Sequence, residues 1–251
     1  MNWLLLRGLA REQRHWGPFP DVFRARLQQD SAARVHCLDL PGTGTALARK
    51  SPASIRAIVE EMRERFLALR AAEAGPWSLL AISLGGMVAM QWCAAHPDDF
   101  SSLVLLNTSA ANLSAPWRRM DFRVLPKIVR TLVMRDPVRR QRNILEMTTR
   151  LTADLDGLAV KFAGVQADAP IRNATVLRQL WAATRFRAPK RLALPVLVLA
   201  GGRDPFTDPS CPRRVATHFG AALEVHPEAG HDLPLDAPAW VAERVATWAR
   251  R

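Results

Sequence analysis

The segment Leu80-Ala81-Ile82-Ser83-Leu84-Gly85-Gly86 sets a serine between two apolar runs, with a small residue two positions to either side. This G-x-S-x-G pattern, with alanine in the first glycine position, suits a sharp strand-to-helix turn that leaves the Ser83 hydroxyl exposed. The Leu84 backbone N–H then points at the same spot, with the positive end of a helix dipole behind it. The same residues also fit an N-cap serine beside a glycine turn. A serine attacks a carbonyl only with a base beside it. Of the six histidines, His231 sits in a turn after the last strand-like run, in Ala229-Gly230-His231-Asp232. His96, His218 and His226 lie at helix ends or within a strand run, where structural and solvated roles prevail. A base needs an orienting acid, and Asp204 directly follows the strand-like run Pro195–Ala200, with Asp208 a rival four residues later. An Asp before proline also serves as a turn former or cap. Serine, acid and histidine in that chain order, each at a strand end, form one of the known triad orders. The chemistry this implies is acyl transfer, with Ser83 as nucleophile, His231 as general base and Asp204 orienting the imidazole.

Such residues must be delivered by a scaffold, and the text alternates strand and helix. Strand-like runs are Trp3–Leu6, Val35–Leu40, Trp77–Ile82, Leu103–Asn107, Pro195–Ala200 and Ala222–His226. Helical spacing marks Phe19–Gln29, Ser54–Ala72, Leu84–Ala95, Pro212–Phe219 and Pro238–Ala249. That alternation predicts an α/β fold with a mostly parallel sheet of about six strands, covered on both faces. Chemistry in such sheets collects at the carboxyl ends of the strands. From Pro116 to Arg187 the alternation stops and the chain reads as helices with Arg-rich faces. The expected organisation is a core of residues 1–115 and 188–251, interrupted by a helical insertion over 116–187.

Composition narrows the class. The 251 residues are 49% hydrophobic and 23% charged, the balance of a globular domain rather than a disordered or fibrous chain. No apolar run approaches the ~18–20 residues of a membrane span. The first residues lack the apolar length and cleavage site of a signal peptide, so a cytoplasmic location is expected. Cys37, Cys93 and Cys211 are widely spaced and odd in number, which argues for three reduced thiols rather than disulfides or a zinc site. No metal-ligand or dinucleotide motif occurs, and no cofactor is expected. The net charge of +12 is uneven: 17 basic and 6 acidic residues lie between Pro116 and Arg191, against 18 and 17 in the rest. That asymmetry suggests an acidic partner or an anionic substrate for the helical segment. Arg135, Arg139, Arg140 and Arg142 stand at its densest part. Basic and aromatic residues are sparsely interleaved there, so nucleic acid is an unlikely partner.

Taken together these motifs resemble the α/β-hydrolase superfamily. Ala81-Ile82-Ser83-Leu84-Gly85-Gly86 resembles its nucleophile elbow, and Asp39-Leu40-Pro41-Gly42-Thr43-Gly44 its D-x-P-G-x-G turn. Gly202-Arg203-Asp204 and Gly230-His231 resemble its acid and histidine turns. The resemblance runs from residue 3 to the end, the helical segment excepted, which matches the position of the family's variable cap. It implies a serine hydrolase acting through an acyl-enzyme on an ester or thioester, with Leu9 and Leu84 N–H groups as oxyanion donors. Arg7-Gly8-Leu9 departs from the family's His-Gly at that turn, and Arg7 reads as a structural replacement or as added positive charge. Asp39 reads as a turn-holding residue. The family's first two antiparallel strands are missing, hence six strands rather than eight. The look is nearest to carboxylesterases of the pimeloyl-acyl-carrier-protein methyl ester esterase type, which implies an acyl-carrier-protein-linked methyl ester and an acidic carrier docking at the basic cap. A non-catalytic ligand-binding protein on the same fold stays open as the alternative.

Overall fold

The structure, a computed structural model, describes residues 1–29 and 32–250. Six strands, β1 (Asn2–Leu6), β2 (Arg34–Cys37), β3 (Trp77–Ile82), β4 (Ser102–Leu106), β5 (Val196–Gly201) and β6 (Ala222–His226), form one sheet. Its order is β2-β1-β3-β4-β5-β6, and every neighbouring pair is parallel. β1, β3 and β5 are buried at every residue, whereas the edge strands β2 and β6 are half-exposed. This is why the central strands read as continuous apolar runs: a parallel sheet has no solvent face on which to alternate.

Helices α1 (Phe19–Gln28) and α11 (Pro238–Ala249) cover one face, and α2 (Ile55–Ala72), α3 (Leu84–Ala95) and α9 (Ser210–Phe219) the other. The stripe Ile55, Ile58, Val59, Met62 and Phe66 of α2 is buried, and the Ser54 hydroxyl caps the helix by accepting from Ala57 N–H. The expected helix start at Ser54 is therefore its cap. β2 ends at Cys37, earlier than the apolar run suggests, because Asp39 draws the chain away. One Asp39 oxygen accepts from Gln13 N–H at 2.7 Å and the other from Thr45 N–H at 2.8 Å.

Because β1 has β2 on one side and β3 on the other, α1 and α2 leave on opposite faces, and a crevice opens beyond the carboxyl ends of β1 and β3. The loop after β1 and the turn after β3 meet there. The contact is tight: a Cβ on Gly85 would lie 2.5 Å from the Arg7 carbonyl oxygen.

Between β4 and β5 the described chain forms helices α4 (Pro116–Arg119), α5 (Leu125–Val133), α6 (Pro137–Thr148), α7 (Leu155–Asp168) and α8 (Asn173–Arg185). Leu145, Ala159 and Phe162 give α6 and α7 a small core of their own. Asp136 and Asp154 cap these two helices through Val138, Arg139 and Gly157 N–H groups. The segment is fastened to the short helix α10 (Leu233–Asp236) and the loop before it. Asp232 N–H donates to the Thr148 carbonyl at 2.7 Å, and the Asp236 carboxylate accepts from the N–H groups of Arg150, Leu151 and Thr152.

Gly85→Ala tests the close approach of β1 and α3. The added methyl must push the two elements apart, so unfolding stability should fall by about 1–3 kcal/mol. A denaturant titration showing a midpoint shift at unchanged slope checks this, and a midpoint equal to wild type would sink it.

Candidate active site

Ser83 follows β3 directly and has φ 57° and ψ −119°, a left-handed backbone that a non-glycine residue adopts only when its surroundings impose it. The constraint comes from both sides. Ser83 N–H donates to the Leu106 carbonyl at 2.9 Å, and the Ser83 carbonyl accepts from Thr108 Oγ1 at 2.8 Å. Ser83 occupies the N-cap position of α3, yet its side chain caps nothing. The hydroxyl instead reaches His231 Nε2 at 3.0 Å, and His231 Nδ1 lies 2.7 Å from Asp204 Oδ2. A carboxylate can only accept, so Nδ1 carries the proton, and Nε2 accepts from the serine. The cap reading of this serine is thereby displaced by its contact with the His231 ring.

Asp204 is held by its other oxygen, which accepts from Phe206 and Thr207 N–H at 2.8 and 2.9 Å. Asp208, the rival acid, is turned elsewhere: it accepts from Ser210 N–H at 2.8 Å and faces Arg118 at 3.3 Å. His231 is buried. Burial pushes its pKa down, but the charge and hydrogen bond of Asp204, helped by Asp232, outweigh that and set it above the ordinary 6.5.

Opposite the serine runs the loop after β1. A Cβ on Gly8 would sit 3.7 Å from Ser83 Oγ, so the Gly8–Leu9 backbone lies against the hydroxyl. Among the described residues, neither Leu9 N–H nor Leu84 N–H has a hydrogen-bond partner within the chain. Two free N–H groups flanking one hydroxyl are the donor set that a carbonyl oxygen needs as it gains charge.

Two groups that hold this arrangement were not singled out from the sequence. Asn107, at φ 43°, donates to the carbonyls of Gly230 and His231 and accepts from Gly201 N–H, tying β4, β5 and the histidine loop together. A polar residue closing an apolar strand is the only sequence signal for it. Asp232 makes a two-pronged ion pair with Arg7, at 2.9 and 2.6 Å, with both residues buried. The Arg7 guanidinium also lies 4.7 Å over the Trp16 ring. The structural reading of Arg7 is therefore the one this geometry supports, and nothing in the local sequence names Asp232 as its partner.

A cavity of about 180 Å³ opens at Ser83 and His231. Its far wall comes from the helices after β4, with Ile128, Ile144, Met147 and Val176 among its apolar residues. Trp117 and Trp181 do not line it and stand exposed. The basic residues of this segment divide. Arg142 pairs with Glu146 and Asp156, Arg139 with Asp136, and Arg118 with Asp208. Acids beyond the Arg-rich stretch thus neutralise residues that look unpaired in the local sequence. Arg140 faces the cavity and donates to the Met134 carbonyl. Arg135 is exposed, and Lys127, Arg130 and Arg135 form no ion pair among the described residues.

A pimeloyl-[acyl-carrier protein] methyl ester esterase of Neisseria meningitidis serogroup C is 29% identical over 203 residues, which are 78% of this chain and 75% of that protein. The protein of the same name from Chromobacterium violaceum is 38% identical over 96 residues, and the match spans 38% of this chain but only 34% of that relative's length. An esterase from Exiguobacterium antarcticum superposes with a TM-score of 0.77 at 18% identity, covering 100% of this chain and 92% of that one, a likeness of fold. The model of the alpha/beta hydrolase family matches residues 3–244, so its sheet, its strand-end turns and the segment between them all fall within one match, and the chain belongs to that family.

Proposed function

We propose that this protein is a serine hydrolase of carboxylic esters or thioesters, working through an acyl-enzyme. The observation that carries the reading is the continuous contact from Ser83 Oγ through the His231 ring to Asp204, at 3.0 and 2.7 Å. Ser83 Oγ attacks the carbonyl carbon while His231 Nε2 takes its proton. The tetrahedral oxyanion is held by Leu9 and Leu84 N–H. The imidazolium, stabilised by Asp204, then returns the proton to the departing alcohol or thiol. Water repeats the sequence on the acyl-enzyme and releases the acid. Helices α4 to α8 act as the cap over the site. The names of the relatives suggest a carrier-linked methyl ester. For such a substrate the exposed Arg135, Arg139 and Arg142 offer an acidic carrier protein a docking face, while Arg140 belongs to the cavity. Three unpaired cysteines suit a reducing, cytoplasmic setting.

Ser83→Ala and His231→Ala should each remove turnover of a p-nitrophenyl ester, by up to about a million-fold in kcat, since the members act as a unit. Asp204→Asn should cost on the order of ten-thousand-fold. A fluorophosphonate should label wild type and not Ser83→Ala. Retained activity in Ser83→Ala, or a crippled Asp208→Asn beside an active Asp204→Asn, overturns the assignment.

The pH profile follows from the raised His231 pKa. Only the neutral ring accepts the serine proton, so kcat/KM should rise with pH and reach half its plateau above pH 6.5. A midpoint below 6.5 contradicts the stated balance of charges.

Docking by exposed charge is screened beyond ~8 Å at physiological salt and acts mainly on association. Replacing Arg135, Arg139 and Arg142 by Glu should lower kcat/KM for a carrier-bound ester, as should added salt, and leave a small neutral ester untouched. Equal effects on the two substrates would remove the carrier from the reading.

A further inference from the structure

Among the described residues, Arg11 is a buried cation with no carboxylate paired to it. Only 6% of the residue is exposed, and it lines the cavity that opens at Ser83. Its Nη1 donates to Gln141 Oε1 at 2.8 Å, its guanidinium lies 5.4 Å from the Phe162 ring, and its Nη2 has no hydrogen-bond partner. No carboxylate pairs with it. The charged groups around the same cavity are Arg7, Arg11, Arg140 and Asp232, with His231 at the serine. Asp232 is the only acid among them, and both its oxygens are taken by Arg7. Burial lowers the Arg11 pKa to about 10, with the charge on Arg7 adding to the effect, so the group still carries its charge at neutral pH. A buried cation normally has a partner, because an unpaired charge out of water is costly. With Asp232 taken by Arg7, Arg11 and Arg140 line the cavity with no carboxylate paired to them among the described residues, which leaves that role to a ligand.

We infer that the cavity binds a carboxylate at Arg11, with Gln141 beside it and Arg140 in the wall of the same cavity, and that the substrate is an acyl ester bearing a free carboxylate at the far end of its chain. The inference rests on the proposed hydrolase reading and names its substrate class, a free half-ester in place of the carrier-linked ester that the relatives' names suggest. The apolar side chains between the two polar ends, Ile128, Ile144 and Met147 among them, suit the methylenes that separate ester from carboxylate. The substrate is then a half-ester of a dicarboxylic acid. Ser83 and water cleave its C–O ester bond, the alcohol leaves with the proton from His231, and the product is the dicarboxylate. Phe162 and Gln141 hold the guanidinium plane, so the fork meets the carboxylate with little reordering.

The test compares monomethyl esters of linear dicarboxylic acids with methyl esters of monocarboxylic acids of matching length. Wild type should favour the anionic series by about 10- to 100-fold in kcat/KM at its best length, the scale of a charged hydrogen-bond pair. In Arg11→Gln that ratio should fall to near one, and in Arg11→Lys to an intermediate value. A ratio is insensitive to the fraction of enzyme that folds. Separately, linear dicarboxylates are titrated calorimetrically into Ser83→Ala protein, with and without Arg11→Gln. Binding that requires Arg11 supports the anion site independently of turnover. Ester turnover with no anionic preference in wild type, or with a preference that Arg11→Gln keeps, overturns the carboxylate site and spares the hydrolase reading. Arg11-dependent binding with no turnover of any ester does the reverse.

Discussion

Two buried charges 225 residues apart hold the site edge of this molecule together. Arg7 follows the first strand and Asp232 follows the histidine. Neither is accessible to water, and each satisfies the other through two parallel hydrogen bonds. Such a pair contributes little net stability, because taking both ions out of water offsets most of their attraction. Its effect is positional: either partner alone would be a buried bare charge, so the loop after β1 cannot drift from the histidine loop. The loop after β1 supplies the backbone that lies against Ser83, and the histidine loop supplies the ring that bonds it. Trp16 beneath the guanidinium joins it to the apolar cluster that Ala229 and Leu233, on either side of the histidine, also enter.

The sheet and its helices were legible in the sequence because burial on both faces writes itself as apolar runs and helical stripes. The strand ends were less so. The apolar run from Val35 continues to Leu40, but the sheet ends at Cys37, since an Asp39 carboxylate facing two backbone N–H groups outweighs the pull of a further strand residue. The three residues in contact at the serine were legible from type, spacing and chain order. Their supports were not. Asn107 and Asp232 act through partners on other strands, a relation that only the folded chain creates. The basic segment misleads in the same way: charge counted along the sequence cannot show that Asp156 and Asp208 come to lie beside its arginines.

Charge in this protein works at two depths. On the surface, arginines largely meet acids and the remainder face water, where each is weakly coupled to anything more than a Debye length away. Inside the cavity Arg11 stands without a paired carboxylate among the described residues and in a poorly screened setting, where an opposite charge is felt strongly. The strained backbone at Ser83 belongs to the same economy of position. It is maintained by hydrogen bonds with the end of β4 and the turn that follows it, and it aims the hydroxyl where β1 and β3 part.

The fastening of helices α6 and α7 to the histidine loop uses mostly main-chain atoms on the helical side: the Thr148 carbonyl and the N–H groups of Arg150, Leu151 and Thr152, with the Thr152 hydroxyl adding one side-chain contact. Any amino acid except proline offers the same N–H, and every one offers the carbonyl. The anchoring side chain, Asp236, sits on the core. Mutation within the helices can therefore change the lining of the cavity while the seam that registers them to the core stays as it is. Change in the cavity lining and retention of the fold then fall on different residues, and the sequence of these helices is free to drift at a pace the sheet cannot follow.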